Sequence, residues 1–585
     1  MLAAVTIGAT ACQDLVVANK NSPSARQAQK NIRDVQSATA GSMVAAGNSL
    51  FRVLQGNSST LAGYSVQSFI YTSAQQTATL TGTGTQQQYK DILEPRPALP
   101  NQAVICSTVC DWGPRTFWAD IGGVSSFPHD ALRFINSQPE AFAADTATDI
   151  YRLEAFARFV RGWSWGYAAL AFDSVHTFHE SVDLDSITDP YSFSRDNLIS
   201  WRVGLENAIA DLDSVISITA NPAWAANRAW IAGSNTWFLT NAPITQARLA
   251  EMAYTLKARL KILGARTPDE RAALPWDTIL GWTEKGVKAG NDYAVQLSET
   301  PAVTSQVLIR MQNNSTTATT NGRWNYHTIG MADQPFAVRV TGTGSNVTAT
   351  LDSVARSGYQ NWLATPVRNR SRFDIVTPDR RITGQYSNGV PNPQANGSYT
   401  CYREDNNGFD LGRGRELFSA YQWSRHKLRN SIGCAQLAVT GNNAGLQPLI
   451  TAVENNLMRA EALVRLNRDE EALPFINATR TAAGLVPVTT AGVQQDSLGM
   501  CVPRMDNGQC GTLYTAIRYE RMIELAGQDV FQAYADSRGW GMLADGSLTS
   551  FPVPGNVLDM YGLPNYTNGG RTGRNTATYA PFDGN

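Results

Sequence analysis

The most regular run of apolar positions in the chain lies between residues 149 and 172. Apolar side chains recur there every three or four residues, at Ile150, Leu153, Phe156, Val160, Trp163, Tyr167 and Leu170. That spacing places them on one face of a helix with 3.6 residues per turn. The pattern therefore predicts a long helix over 149–172 whose apolar face is buried.

The same period recurs in several other segments. It predicts further helices over 27–54, 194–217, 244–263, 275–290, 452–466, 469–483 and 511–527. Only Asn467 and Arg468 separate the fifth and sixth of these, so they are predicted to form a hairpin in which Ala460 faces Ala472. Small residues at a crossing let two helices approach closely, as in tetratricopeptide units.

Two long segments, about 56–118 and 298–450, lack a helical period and are rich in Gly, Asn, Ser and Thr. Irregular segments of that length are usually functional or disordered. We therefore predict a mainly all-α fold, in which a tetratricopeptide-like scaffold of helical hairpins carries long irregular loop-rich insertions. The scaffold is predicted over about 27–54, 149–290 and 452–527, within a single domain at 27–585, and the tail from 547 is predicted to be irregular.

The first eleven residues are small and apolar, and Cys12 follows them directly. Such a run is typical of a secretion signal, and Ala9-Thr10-Ala11 before the cysteine resembles the lipidation site of bacterial lipoproteins. In such sites the residue three positions before the cysteine is usually Leu, whereas this chain has Ala9. No basic residue precedes the apolar run. We expect a signal peptide at 1–11, lipidation of Cys12 and a polar tether at 12–26; the alternative is a cytoplasmic N-terminus with a chance cysteine.

The other six cysteines fall into neighbouring pairs. They are Cys106 with Cys110, Cys401 with Cys434, and Cys501 with Cys510. An even set in an exported protein predicts disulfide bonds. The alternative is free or metal-binding thiols, and the sequence by itself leaves the connectivity open.

Charge and motifs exclude several classes of function. The net charge is −1 and the isoelectric point is about 6.5, without the basic patch of a nucleic-acid-binding protein. No Gly-x-Ser-x-Gly motif has the flanking strand and helix of a hydrolase. The carboxylates Glu520 and Glu524 lie one helical turn apart beside Arg518 and Arg521, which predicts ion pairs along one helix and not catalysis. We predict no catalytic residue.

Histidines and acidic residues cluster between 176 and 189. His176, His179 and Glu180 have spacing that a metal ion could use, but they need a further ligand, and we predict a solvated loop. An oxygen-rich calcium site at Asp183, Asp185 and Asp189 is the alternative, although the twelve-residue calcium loop is missing. We therefore predict no metal site and no cofactor, with structural calcium as the open alternative.

Aromatic residues in the two irregular segments indicate a carbohydrate site. The apolar C–H faces of sugar rings stack on aromatic faces, and polar neighbours fix their orientation. The predicted ligand-binding residues are Tyr71, Tyr89, Trp112, Arg323, Trp324, Asn325, Tyr326, Tyr359, Asn361 and Trp362. Trp118 is predicted to belong to the core. The alternative is that these aromatic side chains anchor the long loops onto the helices.

Several stretches resemble, in order, the motifs of the SusD/RagB family. They are residues 150–172, residues 194–217 with Ala210-Asp211-Leu212-Asp213, Ala258-Arg259-Leu260, Met458-Arg459-Ala460-Glu461-Ala462, Ile476-Asn477-Ala478-Thr479-Arg480, Arg518–Ala526, Phe551-Pro552-Val553-Pro554 and Asn565-Tyr566. Residues 173–178 depart from the loop that the family usually shows after its first long helix.

The resemblance implies a lipid-anchored protein of the bacterial outer membrane that faces outside. It implies binding of nutrient oligomers, glycans or alternatively peptides, and their delivery to a TonB-dependent (SusC-like) transporter, without catalysis. A second hypothesis is a structural or adhesive surface protein that self-associates through loops at 312–322 and 387–398. A third is a glycoside hydrolase, which requires two convergent carboxylates.

Overall fold

The computed structural model describes most of the scaffold and part of the insertions. It describes residues 113–137, 150–222, 244–297, 323–341, 348–355, 358–366, 369–384, 389–402, 418–425, 445–529, 531–543, 547, 549–564 and 566–568, with Gly41 and the pairs 77–78 and 99–100. The predicted helix at 27–54 lies almost entirely outside the described residues. So do the predicted signal peptide and tether, and the division into domains stays a prediction.

Helices dominate the described residues, which confirms the predicted mainly helical, tetratricopeptide-like fold. They are α1 (Gly113–Ser137), α2 (Ile150–Ala171), α3 (Pro190–Asp196), α4 (Trp201–Thr219), α5 (Gln246–Gly264), α6 (Pro268–Ala272), α7 (Trp276–Lys285), α8 (Tyr326–Ile329), α9 (Gly358–Ala364), α10 (Arg380–Thr383), α11 (Ala452–Arg465), α12 (Asp469–Ala482), α13 (Leu513–Glu524), α14 (Gln532–Gly539) and α15 (Gly555–Tyr561).

Short strands connect these helices. They are β1 (Thr77–Ala78), β2 (Leu99–Pro100), β3 (Ser174–Val175), β4 (Ile199–Ser200), β5 (Tyr293–Leu297), β6 (Arg323–Asn325), β7 (Phe336–Thr341), β8 (Thr348–Ala355), β9 (Thr400–Tyr402), β10 (Phe418–Trp423), β11 (Gly445–Ile450) and β12 (Thr567–Asn568).

The helix α2 is the centre of the first half of the scaffold. It packs between α1 and α4 and is buried over most of its circumference. Gly162 lies at the crossing with α4, where a Cβ atom would stand 2.9 Å from the carbonyl oxygen of Ala208. The glycine therefore permits an approach of the two helices that a larger residue would prevent.

The predicted hairpin of α11 and α12 is confirmed. The side chain of Thr451 accepts a hydrogen bond from the backbone N–H of Glu454, which caps the start of α11. Asn467 takes a left-handed conformation (φ 58°) in the link, where asparagine is among the better tolerated residues. The helix α11 packs on α7, α12 and α13 and so joins the two halves of the scaffold.

The insertion over 298–450 is more ordered than the sequence indicates. The strand β5 pairs antiparallel with β11, so the chain leaves the scaffold and returns to it at one place. Within the insertion, β7 and β8 pair as neighbours along the chain. The strands β6, β10 and β9 of the insertion form a four-stranded sheet with β1 from the first irregular segment, in the order β1, β6, β10, β9. The prediction of an irregular segment is therefore wrong for these strands and for α8, α9 and α10.

Three further element boundaries differ from those predicted from the sequence. The irregular segment predicted to reach 118 gives way to α1 at Gly113. The helix predicted at 194–217 begins at Trp201, because Asp189 caps the separate short helix α3 and β4 intervenes. The tail predicted to be irregular from 547 contains α15 and β12.

Buried ion pairs tie distant parts of the scaffold together. Arg271 on α6 donates to Glu461 on α11 at 2.6 Å and to Asp536 on α14 at 2.9 Å, and all three side chains are fully buried. Burial disfavours the charged form of Glu461, but the Arg271 charge and hydrogen bonds outweigh it and lower the pKa of Glu461 to about 2. Removing one partner would leave a buried charge without compensation.

The carboxylates of α13 pair differently from the sequence prediction. Glu520 and Glu524 both bind Arg381 of α10, at 2.7 and 2.6 Å. Arg521, a predicted partner on the same helix, binds Asp536 instead at 2.8 Å. The predicted pairing along α13 is wrong, because all of these side chains face the interior and meet partners from other elements.

The disulfide prediction is confirmed for one pair. Cys501 and Cys510 are bonded, with their Cα atoms 5.7 Å apart. Cys401 is also disulfide-bonded. The candidates Cys106, Cys110 and Cys434 lie outside the described residues, as does Cys12. No helix in the described part of the chain has the length and apolar character needed to cross a membrane.

Candidate ligand-binding site

The insertion brings together the second group of predicted ligand-binding residues. Trp324 and Asn325 lie on β6, Tyr326 begins α8, and Tyr359, Asn361 and Trp362 lie on α9. The ring centroids of Tyr326 and Trp362 are 5.3 Å apart, and those of Tyr359 and Trp362 are 6.0 Å apart in a stacked arrangement. Residues separated by more than thirty positions in the sequence therefore form one aromatic cluster.

Side chains outside the predicted set complete this cluster. The ring of Phe373 stacks on Tyr326 with centroids 4.3 Å apart. The guanidinium of Arg370 lies 4.2 Å from the centroid of Trp362, within the range of a cation–π contact. The Tyr326 hydroxyl donates to the carbonyl of Phe373 at 2.8 Å, and burial raises the pKa of Tyr326. These contacts fix the ring positions.

The predicted residues differ in their access to solvent. Trp324 is 1% exposed, Trp362 is 3% exposed, and Asn325 and Tyr326 are fully buried. Their faces are covered by protein, so they support the site from beneath. Tyr359, at 8%, lies at the margin of the cluster, and Asn361 is exposed.

A narrow cleft of about 60 Å³ opens beside Tyr359. One wall is the turn after α8, another is the start of α9, and the third is the loop closed by the Cys501–Cys510 bond. The lining residues are Gly330, Asp333, Gln334, Pro335, Gly358, Tyr359, Gln360, Arg504, Met505 and Gly508. We call this feature the Tyr359 cleft.

Two buried polar side chains hold the walls of the Tyr359 cleft in place. The carboxylate of Asp333 accepts the backbone N–H of Tyr359 and that of Val376, both at 2.9 Å. The amide oxygen of Gln334 accepts the Cys501 N–H at 3.0 Å and an Arg504 N–H at 2.9 Å. These bonds join the aromatic cluster to the disulfide-closed loop, so the cleft is a built feature of the fold.

The mouth of the Tyr359 cleft carries exposed polar groups. Gln360 is exposed there, and the half-buried Arg504 has its pKa lowered by burial in spite of the opposing charge of Asp333. Gly508 has a φ of +82°, and a Cβ atom at this position would stand 2.3 Å from the Gln360 amide nitrogen. Glycine therefore allows the disulfide-closed loop to reach α9.

Sequence reasoning missed Gln360, Arg504 and Met505 as residues of this site. The signal that could have found the last two is the Cys501–Cys510 pair, because a short closed loop presents its side chains in a fixed arrangement. Tyr71, Tyr89 and Trp112, the first predicted aromatic group, lie outside the described residues. The backbone of Arg323 lies on β6, but its side chain is not among those described.

The histidine-rich stretch after α2 is a loop, as predicted, in which His179 is exposed and His176 and Glu180 are half-buried. Glu180 binds Arg161 at 2.6 Å. Burial would raise its pKa, but Arg161 and Arg158 lower it to about 2. Asp189 caps α3, Asp183 pairs with Arg133, and the Asp185 side chain is outside the described set. Within the described ranges, no three His, Cys, Asp or Glu side chains are grouped to hold a metal ion.

Comparison with known proteins gives a family match for the C-terminal part of the chain. Residues 454–577 match the model of the SusD family. No curated protein matches the sequence significantly.

Solved structures similar to this chain share little sequence with it. A SusD homolog from Bacteroides thetaiotaomicron has 12% identity and a TM-score of 0.48, over 93% of this chain and 98% of that one. Surface glycan-binding protein A from Bacteroides uniformis has 13% identity and a TM-score of 0.43, over 84% and 85%. A laminarin-binding SusD-like protein has 13% identity and a TM-score of 0.41, over 90% and 98%.

The matched segment begins within α11 and continues through α12 and α13, and it includes the motifs at 458–462, 476–480 and 518–526. Over residues 454–577, this chain is similar to the SusD family.

Proposed function

We propose that this protein binds nutrient glycans at the surface of the bacterial outer membrane and delivers them to a TonB-dependent transporter. The observation that carries the proposal is the Tyr359 cleft. It places an aromatic ring, an exposed amide and a guanidinium together on the scaffold of a family of binding proteins. Aromatic and amide groups in this combination suit sugars, which offer apolar ring faces and hydroxyl groups.

The size of the Tyr359 cleft defines how a glycan would be held. At about 60 Å³ it admits one edge of a sugar unit and not a whole ring system. The remaining units would lie along the outer side of α9, where Gln360 and Asn361 are exposed. The amide of Gln360 can donate and accept hydrogen bonds at once, which matches a sugar hydroxyl.

The carboxylates of α13 support binding without catalysis. A glycosidase needs one carboxyl group that donates a proton and a second on the other side of the scissile bond. Glu520 and Glu524 are buried and both bind Arg381, and Glu524 also accepts the Tyr399 hydroxyl at 2.9 Å. Their burial and their ion pairs with Arg381 fit a structural role.

Glycan binding is tested by calorimetric titration of the purified protein with a panel of oligosaccharides and, in parallel, peptides. We expect at least one oligosaccharide to bind, and Gln360→Ala to weaken that binding by about tenfold. The matched control is Asn556→Ala, an exposed amide on α15, which should leave the affinity unchanged. Binding of peptides alone, or equal affinity in both variants, would overturn the assignment to this cleft.

Delivery to a transporter is tested separately, in the native outer membrane. The tagged protein would be recovered in mild detergent and its partners identified by mass spectrometry. Recovery of a large TonB-dependent barrel in equal amount, with lipid on Cys12, is the expected result. Recovery of this chain alone or in self-assemblies would contradict delivery and favour the structural or adhesive hypothesis.

A further inference from the structure

A second cavity, of about 210 Å³, lies in the first half of the scaffold. It is bounded by α1, by α2 and by the stretch that follows α2 as far as Leu184. We call it the α1–α2 cavity. The Tyr359 cleft borders the core of the insertion, whereas this cavity borders the core formed around α2. The two sites share no lining residue.

Aromatic rings form the walls of the α1–α2 cavity. Trp118 on α1 meets His176 edge to face, with centroids 5.7 Å apart, and His176 stacks on Phe178 at 5.4 Å. Trp165 on α2 also lines the cavity, whose floor includes the buried side chains of Ala168 and Val175. A lining of this kind suits a flat apolar ring, which can contact aromatic faces and edges together.

Each serine hydroxyl in the lining of the α1–α2 cavity donates its hydrogen to a backbone carbonyl. Ser125 donates to the carbonyl of Gly122 at 2.8 Å, and Ser126 donates to that of Gly123 at 2.7 Å. Ser164 donates to the carbonyl of Ile121 at 3.0 Å. A hydroxyl group has one hydrogen and two lone pairs, so these three oxygens remain as acceptors.

The side chain of His176, in the wall of the α1–α2 cavity, also has one nitrogen that donates and one that can accept. Its Nε2 lies 2.9 Å from the carbonyl oxygen of Ser194, which can only accept, so Nε2 carries the hydrogen. Burial lowers the pKa of His176, which keeps the ring neutral and leaves Nδ1 as an acceptor. These oxygens and the His176 Nδ1 are acceptors that suit a donor on the ligand, and the indole N–H groups of Trp118 and Trp165 are donors in the same lining.

The lining of the cavity disfavours ionic ligands, because none of its described residues is Asp, Glu, Lys or Arg. The Nε2 of its second histidine, His129, donates to the carbonyl oxygen of His179 at 3.1 Å. A charged group taken from water into this lining would lose its hydration without an opposite charge nearby.

We propose that the α1–α2 cavity binds a neutral aromatic ring bearing a single N–H or O–H donor, such as an indole or a phenol. A sugar ring suits it less, because it carries several hydroxyl groups and the lining is mainly apolar. This ligand class is distinct from the glycans proposed for the Tyr359 cleft, and the inference does not rest on that function.

Two neighbouring glycines of α1 provide a matched test. Gly122 lines the cavity, and Gly123 does not. A Cβ atom at either position would meet no heavy atom within 4 Å, and both residues are exposed on one helix. Gly122→Leu should fill the cavity, whereas Gly123→Leu should not. Both variants should fold, because leucine has a higher helix propensity than glycine.

The probes are indole, phenol, 1-methylindole and glucose, measured by calorimetry against the full-length protein. We expect indole and phenol to bind, Gly122→Leu to weaken indole by about tenfold, and Gly123→Leu to change it by less than about twofold. Loss of the donor in 1-methylindole should also weaken binding by about tenfold. Equal indole affinity in both variants, or glucose binding that only Gly122→Leu abolishes, would overturn the proposal.

The bound ring could belong to a small molecule or to an aromatic side chain of a peptide, and N-acetyltryptophanamide distinguishes the two. Binding of free indole without binding of this compound assigns the cavity to a small molecule. Binding of both at similar affinity assigns it to an aromatic side chain of a peptide. In either case Gln360→Ala should leave indole binding unchanged. The two proposals, ring binding in the α1–α2 cavity and glycan binding at the Tyr359 cleft, can therefore fail independently.

Discussion

At the scale of single residues, Gly162 shows how packing can reverse an intrinsic preference. Alanine normally stabilises a helix by about 1 kcal/mol relative to glycine. At Gly162 the added Cβ would meet the Ala208 carbonyl oxygen at 2.9 Å and the Leu212 Cγ at 3.2 Å. We expect Gly162→Ala to lower the free energy of unfolding by about 1–3 kcal/mol, measured by urea denaturation.

The matched control for this prediction is Gly281→Ala on α7. A Cβ atom at Gly281 would meet nothing within 4 Å, so the helix preference should act alone. The free energy of unfolding should rise by about 0.5–1 kcal/mol. Changes of the same sign in the two variants would show that the close approach of α2 and α4 is not maintained in solution.

At the scale of elements, the loop between Cys501 and Cys510 controls one wall of the Tyr359 cleft. The bond closes a segment with a sequence separation of 9 residues that includes Arg504 and Met505. Replacing both cysteines by alanine should lower the free energy of unfolding by about 2–3 kcal/mol, because the unfolded chain gains freedom. Glycan affinity should fall as well, since the wall loses its fixed position.

Denaturant unfolding and glycan titration of the Cys501→Ala/Cys510→Ala protein provide the measurement. The Gln334 bonds to Cys501 and Arg504 would remain available, so the scaffold should still fold. An unchanged glycan affinity together with the expected loss of stability would remove the loop from the binding site.

At the scale of the whole molecule, buried ion pairs link stability to pH. The pKa of Glu461 is about 2 in the folded protein, below its usual value of 4.5. A carboxyl group with a depressed folded pKa stabilises the protein above its unfolded pKa and loses that contribution as the pH falls. Between about pH 4.5 and pH 2, Glu461 should account for a loss on the order of 3 kcal/mol.

The comparison of Glu461→Gln with Glu471→Gln tests this linkage. Glu461→Gln leaves Arg271 buried without its bidentate partner, so it should lower the free energy of unfolding by about 3–5 kcal/mol at neutral pH. The free energy of unfolding of this variant should also fall less steeply as the pH is lowered. Glu471 pairs with Arg468 on the exposed start of α12, so Glu471→Gln should have little effect. Acid unfolding curves of the two variants that parallel the wild type would refute the role of Glu461.

The sequence by itself determined much of the described scaffold. The stripes at 149–172, 244–263, 452–466 and 469–483 have a helical period, so each specifies a helix whose apolar face must be buried. The helix α1 escaped prediction because it contains Gly122, Gly123 and Pro128, which weaken its local preference. Its formation depends on packing against α2, and this information lies in the tertiary structure.

The strands of the insertion are likewise decided by distant partners. The strand β5 pairs with β11, about 150 positions later in the sequence. A segment of five residues is too short for its sequence pattern to predict such a pairing. The end of the chain shows the same limitation, because β12 pairs with β2. Local preference is weak in such short strands, and hydrogen bonding to a partner determines them.

For the binding site, the sequence identified Tyr326, Tyr359 and Trp362 as aromatic residues within irregular segments. It did not determine which ring faces are covered and which margin is open, because that depends on how α8 and α9 pack against Phe373 and Arg370. The Tyr359 cleft lies between elements far apart in the sequence, and the α1–α2 cavity lies between helices that are neighbours along the chain. Composition and period thus fixed the helices, whereas tertiary packing alone created the spaces in which a ligand can lie.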